Sequence, residues 1–272
     1  MENVSFSVRE GEILGFVGPN GAGKSTTIRI LLNFIFPTSG TASICGKDVV
    51  TESKAIKKFT GYVPSDVRYY RNLTIKKLIE ISNGFHGAGF DQETKRLCEL
   101  FEVDLTKRFG ELSTGNKKKA AIVCALAVKP KVLILDEPTS GLDPMMQKRL
   151  FRELTSQAEK GTAILLSSHN LSEVQEYCDR VVFIKQGEIV TTADLGLLSQ
   201  PRKIVTVWGG KAMNSAGLQL LEEVGKKRVY RYQGEGEILL DILKQAEPDD
   251  FTIENESLDD YFMDLYEQEE SR

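Results

Sequence analysis

Over the first two-thirds of the chain, short apolar runs alternate with amphipathic stretches. Residues 12–17, Glu-Ile-Leu-Gly-Phe-Val, read as a buried strand running into a glycine-rich loop. Ile28, Leu31, Leu32 and Ile35 then recur at helical spacing, so a helix is predicted over 25–36, ended by Pro37-Thr-Ser-Gly40. A short strand at 60–64 is stopped by Pro64. Amphipathic helices at 74–82 and 92–102 flank a glycine-rich break at 84–89. A helix over 113–128 ends at Lys129-Pro130, and 131–135 is a second buried strand. A helix over 144–160 starts on Pro144, where proline is tolerated. A strand at 162–167, a helix at 171–178 and a hairpin of 180–184 with 188–190 around Gln186-Gly187 complete the set. Strands separated by helices imply an α/β fold, a mainly parallel sheet covered on both faces.

The pattern changes near 197–201. It predicts a first domain over 1–199 and a small α+β domain over 200–272. The second is read as strand 203–208, helix 217–224, strand 228–232, helix 235–245, strand 251–254 and helix 258–268. It carries no motif with an assignable chemistry and reads as an accessory packing or dimerisation module. No internal repeat or low-complexity stretch is visible.

Composition narrows the function classes. Of 272 residues, 41% are apolar and 27% charged, as in globular proteins. No run approaches the ~18 apolar residues of a membrane span, and the first ten residues lack the pattern of a secretory leader. The expectation is a cytoplasmic chain whose membrane role, if it has one, needs a separate membrane partner. A net charge of −4 with scattered basic residues argues against nucleic acid as a partner. Cys45, Cys98, Cys124 and Cys178 form no CxxC pair and read as reduced thiols. With only His86 and His169 beside them, a structural zinc site is not expected. Lys117-Lys-Lys119 reads as a solvated helix face rather than a basic patch.

The chemistry starts at Gly18-Pro19-Asn20-Gly21-Ala22-Gly23-Lys24-Ser25-Thr26. The spacing G-x-x-x-x-G-K-S is that of a phosphate-binding P-loop, and it sits between a strand and a helix, where the mechanism needs it. Glycines let successive backbone N–H groups turn inward on phosphate oxygens. The helix N-terminus adds its positive dipole end. Lys24 is placed to neutralise the β- and γ-phosphates of ATP, and the Ser25 hydroxyl to hold Mg²⁺. The second half of the site is Val132-Leu-Ile-Leu-Asp136-Glu137, a buried strand ending in two carboxylates at the edge where ligands sit in open parallel sheets. Asp136 is assigned to the metal and Glu137 to the attacking water.

With these residues in place, the chain resembles the ABC ATPase family. Gly18–Thr26 is similar to its Walker A loop and 133–138 to its Walker B strand with the catalytic glutamate. Ser140-Gly-Leu-Asp143 is similar to the D-loop, Ser167-Ser-His169 to the switch histidine, and Leu112-Ser-Thr-Gly-Asn116 to the signature. The likeness covers residues 1 to about 195. It implies a P-loop NTPase fold and head-to-tail pairing around two ATP molecules. Ser113 and Gly115 would touch the nucleotide of the other copy, and His169 would link the γ-phosphate to Glu137. It further implies a homodimer or a pair with a paralogous ATPase, bound at the inner face of the membrane through a separate permease. The C-terminal segment, with Ser257-Leu-Asp-Asp-Tyr-Phe262, is similar to that of drug- and antibiotic-exporter subunits. The alternatives are a non-transport ABC ATPase and a low-turnover ATP-binding regulatory module.

Three features depart from the family pattern. Ser65 stands where a glutamine is usual after Gly61-Tyr-Val-Pro64, and Asp66 or a water is the candidate to take over its Mg²⁺ contact. Thr114 and Asn116 replace the usual Gly and Gln of the signature, which predicts slower turnover. The strand and adenine-stacking aromatic expected before Glu2–Val8 are absent, and the expectation is a start clipped relative to the family. Arg68, Tyr69, Tyr70 and Arg71 are the residues expected to face the permease.

Overall fold

The structure, a computed structural model, describes residues 1–196 and 202–257. The chain divides into two compact units, Met1–Asp194 and Leu195–Arg272. The first contains β1 (Ile13–Val17), α1 (Lys24–Leu31), the small ribbon β2 (Ser43–Ile44) and β3 (Lys47–Asp48), α2 (Ser53–Lys57) and β4 (Thr60–Val63). Then come α3 (Ile75–Phe85), α4 (Gln92–Leu100), α5 (Thr114–Ala127), β5 (Val132–Asp136), α6 (Pro144–Glu159), β6 (Ala163–Ser168), α7 (Leu171–Tyr177), β7 (Arg180–Lys185) and β8 (Glu188–Asp194).

The main sheet has the order β4-β5-β6-β1-β7-β8. All neighbours run parallel except β8, which returns antiparallel on β7. Both faces are covered, and β1 shows how. Leu14 and Phe16 point to one face and pack with Ile28 of α1, Ile134 and Val182 in a common core. Gly15 points to the other, where a Cβ would lie 2.6 Å from a methyl of Val174 on α7. Only glycine lets that helix approach so closely. Every residue of β1 is buried, as a doubly covered parallel strand requires.

The predicted elements of this unit are present with shifted ends. The helix predicted over 25–36 stops at Leu31, and Phe34 and Phe36 after it are exposed. The β2–β3 ribbon and α2 gave no pattern long enough to read.

The second unit is a four-stranded antiparallel sheet of order β10-β11-β9-β12. Its elements are β9 (Lys203–Trp208), β10 (Leu218–Val224), β11 (Lys227–Tyr232), α8 (Gly236–Ala246) and β12 (Asp250–Asn255). Val205, Val207, Tyr230 and Tyr232 pack under Leu239, Leu243 and Ala246 of α8. Both buried tyrosine hydroxyls are satisfied: Tyr230 accepts from the Met213 N–H at 3.2 Å, and Tyr232 donates to the Glu235 carbonyl at 2.9 Å. The helix predicted over 217–224 is in fact strand β10. Leu218, Leu221 and Val224 fit a helical repeat, but pairing with β11 across the two-residue loop Gly225-Lys226 decides the outcome. The boundary predicted near 197–201 and the helix predicted over 258–268, with most of the Ser257–Phe262 segment, lie outside the described residues.

Cys98, Cys124 and Cys178 are buried free thiols, and Cys45 is exposed. Burial pushes the Cys98 thiol up to about 11 and Cys124 to about 12, so both stay protonated at neutral pH.

Candidate functional site

Three neighbouring parallel strands, β5, β6 and β1, deliver the site at their C-terminal ends. The sheet order puts β6 between β5 and β1, with Asp136 opposite Ser167 and Val17 opposite Ser168. Residues distant in sequence therefore meet at one edge.

The loop after β1 is shaped by its glycines. A Cβ on Gly18 would sit 2.1 Å from the Ile184 carbonyl on β7, which no side chain tolerates. Gly21 and Gly23 take left-handed backbone angles, φ +83° and +113°. Pro19, Asn20 and Gly21 form the exposed tip, and Ala22 is anchored in the core. Gly23 precedes α1 without a side-chain cap, and the first turn has no acidic residue. The helix N-terminus is thus left for an anion. Lys24 is nearly buried; its ammonium donates to the Gly18 carbonyl at 2.6 Å and the Pro19 carbonyl at 3.3 Å. Thr26 is exposed beside it.

Asp136 is buried and accepts on one oxygen from two hydroxyls, Ser25 at 3.2 Å and Ser167 at 2.6 Å. Hydroxyl and carboxylate oxygens of this kind suit Mg²⁺, which takes few protein ligands and completes its shell with phosphates and water. Ser25 and Asp136 are the residues that fit it. Glu137 has φ +50°, left-handed for a residue with a Cβ. Its N–H donates to both the carbonyl and the hydroxyl of Ser167, at 3.2 and 3.1 Å. Its carboxylate lies 3.5 Å from the Lys24 ammonium and hydrogen-bonds the His169 Nδ1. The structure therefore brings Lys24, Ser25, Asp136, Glu137 and His169 into one cluster. Ser167 joins the cluster as a further site residue. Its signal was a polar Ser-Ser pair closing an apolar strand.

Ser113 and Gly115 lie at the start of α5, away from this cluster in hydrogen-bonding terms. The Ser113 hydroxyl caps the helix by accepting from the Asn116 N–H at 3.3 Å. A Cβ on Gly115 would lie 2.5 Å from the carbonyl of Gly141 in the loop after β5. We expect Gly115→Ala to strain that contact by about 1–3 kcal/mol. The measurable result is a lower ATPase rate and melting temperature with unchanged ATP affinity at the P-loop. Unchanged rate and melting temperature would remove the contact from the account.

Two readings change. Asp66 is not brought to the metal-binding pair: its carboxylate takes Arg68 at 2.6 Å on the exposed surface, and no hydrogen bond among the described residues joins it to Ser25 or Asp136. Such exposed pairs contribute little, so Asp66→Ala should leave Mg²⁺-dependent ATPase activity within about twofold of wild type. A loss of Mg²⁺ dependence would restore Asp66 as a ligand. Lys117-Lys-Lys119 is not a uniformly solvated face. Lys118 is 1% exposed, and its ammonium donates to the carbonyls of Pro64, Ser65 and Glu137; Lys117 lies over the Phe109 ring. Of the residues expected to face a permease, Arg68, Tyr70 and Arg71 are exposed, while Tyr69 packs edge-on against Phe109.

Comparison with known proteins agrees with this geometry. The family model described as ABC transporter matches residues 1–140, and one described as an AAA domain of putative AbiEii toxins matches 107–175. The chain is 33% identical over 196 residues to the probable multidrug ABC transporter ATP-binding protein YbhF of Escherichia coli K12. That match covers 70% of this chain and 34% of the relative, so it spans about a third of the relative's length. The bacitracin transport ATP-binding protein BcrA of Bacillus licheniformis is 32% identical, covering 97% of this chain and 92% of the relative. A solved structure of the ATP-binding subunit of an ABC transporter superposes with a TM-score of 0.69 at 32% identity, covering 74% of this chain and 85% of that one. The chain belongs to the ABC transporter family of ATP-binding proteins, and residues 1–194 carry its P-loop ATPase fold.

Proposed function

We propose that the chain binds Mg²⁺–ATP on Gly18–Thr26, hydrolyses it with Glu137, and couples that cycle to a separate membrane permease working as an exporter. The observation that carries the hydrolytic part is the meeting of Lys24, Asp136, Glu137 and His169 at one sheet edge. Backbone N–H groups of the loop and the Lys24 ammonium take the phosphates. Ser25 and Asp136 would hold Mg²⁺, which would supply positive charge to offset the negative charge on the phosphoryl group. Glu137 orients a water and accepts its proton, and His169 holds the Glu137 carboxylate in place. Ser113 and Gly115 of a second copy, or of a paralogous ATPase, complete the site from outside the chain.

The transport part rests on relatives, among them YbhF and BcrA, named for multidrug and bacitracin transport. Among the described residues no helix is long and apolar enough to cross a membrane. The chain would sit at the inner membrane face through the permease. Co-expression with a candidate permease chain tests this. Glu137-dependent ATPase activity that moves to the membrane fraction and responds to the transported compound supports the reading; activity that stays unassociated and unresponsive rejects it.

A low-turnover regulatory module is the second reading, favoured by Ser65 and Asn116 at positions where the family has glutamine. It predicts nucleotide binding with phosphate release no faster than in Glu137→Gln.

A further inference from the structure

Helix α5 is buried over its C-terminal part, Ala120 to Ala127, and Lys118 is the buried charged residue just before that stretch. It lies one helical turn before Ile122 and two before Ala125, on the face turned to the sheet. An ammonium has three protons to donate, and a buried one that leaves them unused is costly. Here all three find carbonyl oxygens: Pro64 at 2.9 Å, Ser65 at 2.8 Å and Glu137 at 3.1 Å. Pro64 and Ser65 follow β4, and Glu137 follows β5, its neighbour in the sheet. One side chain therefore spans two adjacent strand ends.

The third acceptor matters for the chemistry. Glu137 holds a left-handed φ of +50°. A residue with a Cβ stays there only when its surroundings fix it from several sides. Ser167 fixes the Glu137 N–H, and Lys118 fixes the Glu137 carbonyl. Together they aim the carboxylate at Lys24 and His169. Burial lowers the Lys118 pKa, while the nearby Asp136, Glu137 and Asp66 oppose that shift and favour its charge.

We infer that Lys118 is a positioning residue for ATP hydrolysis, which holds the Glu137 turn and the loop at Ser65 in the geometry the reaction needs. The same helix begins at Ser113 and Gly115, so it joins the Glu137 turn to the end of α5 assigned to a second nucleotide. This inference rests on the hydrolytic reading of Glu137.

The test compares wild type, Lys118→Met and Lys118→Arg by kcat, KM, equilibrium ATP affinity and melting temperature. Methionine keeps the buried stem and removes every donor. Misplacing a catalytic group by a fraction of its working distance is enough to lower kcat by at least about tenfold. That loss, with ATP affinity within about twofold and recovery by arginine to within about threefold, is the expected result. A wild-type kcat in Lys118→Met, with or without a lower melting temperature, overturns the inference, as does a loss confined to ATP affinity. Should the methionine variant not fold, Lys118→Gln is read by the same criteria. A wild-type chain no faster than Glu137→Gln overturns the hydrolytic reading itself. An active wild type matched by Lys118→Met overturns the role of Lys118 alone.

Discussion

Glu137→Gln is expected to lower kcat for ATP hydrolysis by about 10²–10⁴-fold while leaving ATP affinity nearly unchanged. Glutamine has the same length and fits the same turn. It retains an oxygen for the His169 contact but accepts no proton from a water. The substitution also removes the negative charge 3.5 Å from the Lys24 ammonium. That charge competes with phosphate for Lys24, so its removal favours bound nucleotide. The signature of the variant is thus a stable ATP-bound protein with little phosphate release. Steady-state phosphate release with parallel equilibrium binding checks it. A kcat within about threefold of wild type would contradict the assignment, because a general base contributes far more than that.

Lys24→Met should act on binding first. Its ammonium sits at the mouth of the loop on the Gly18 and Pro19 carbonyls, nearly buried between the P-loop and Glu137. A hydrogen bond to a charged group contributes about 1.5–3 kcal/mol, so losing the contact to phosphate weakens ATP binding by about 10–100-fold. Methionine fills the same space without charge, which separates this loss from a packing defect. It removes the ammonium beside the Glu137 carboxylate and leaves the His169 hydrogen bond to it, so hydrolysis of whatever ATP binds should fall as well. Equilibrium binding of ATP and of a nucleoside lacking phosphates tells the two apart. The variant is expected to narrow the difference between them by that factor. Unchanged ATP affinity would place the phosphates elsewhere.

The contrast between these residues and Lys118 shows what the chain exposes to reading. The P-loop was legible because its residues are contiguous, whatever their contacts. Gly18, Gly21 and Gly23 are needed for close approach and left-handed turns inside nine consecutive residues. Asp136 and Glu137 were legible because four apolar residues precede them, and a strand end in a parallel sheet is where ligands bind. Ser167 and Lys118 depend on which strands become neighbours. Ser167 meets Asp136 only because β6 lies between β5 and β1, and Lys118 reaches Glu137 only because β4 lies beside β5. Neither adjacency is written in the local pattern. Three successive lysines look solvated until the helix is known to be buried on the side that carries the middle one. Strand β10 failed for a similar reason. Leu218, Leu221 and Val224 satisfy a helical repeat, and only pairing with β11 makes them a strand. Asp66 was assigned by analogy with a missing glutamine. Its short side chain is instead engaged by Arg68, two residues away.

The most direct test of the account is a single-turnover experiment on the wild-type chain. The protein is loaded with ATP in the absence of divalent cation, Mg²⁺ is added, and free phosphate is followed against bound nucleotide. Bound ATP is expected to be converted to ADP and phosphate on adding Mg²⁺, and the same protocol with Glu137→Gln to return the nucleotide as ATP. Recovery of intact ATP from the wild type, or equal phosphate release from both chains, would contradict it.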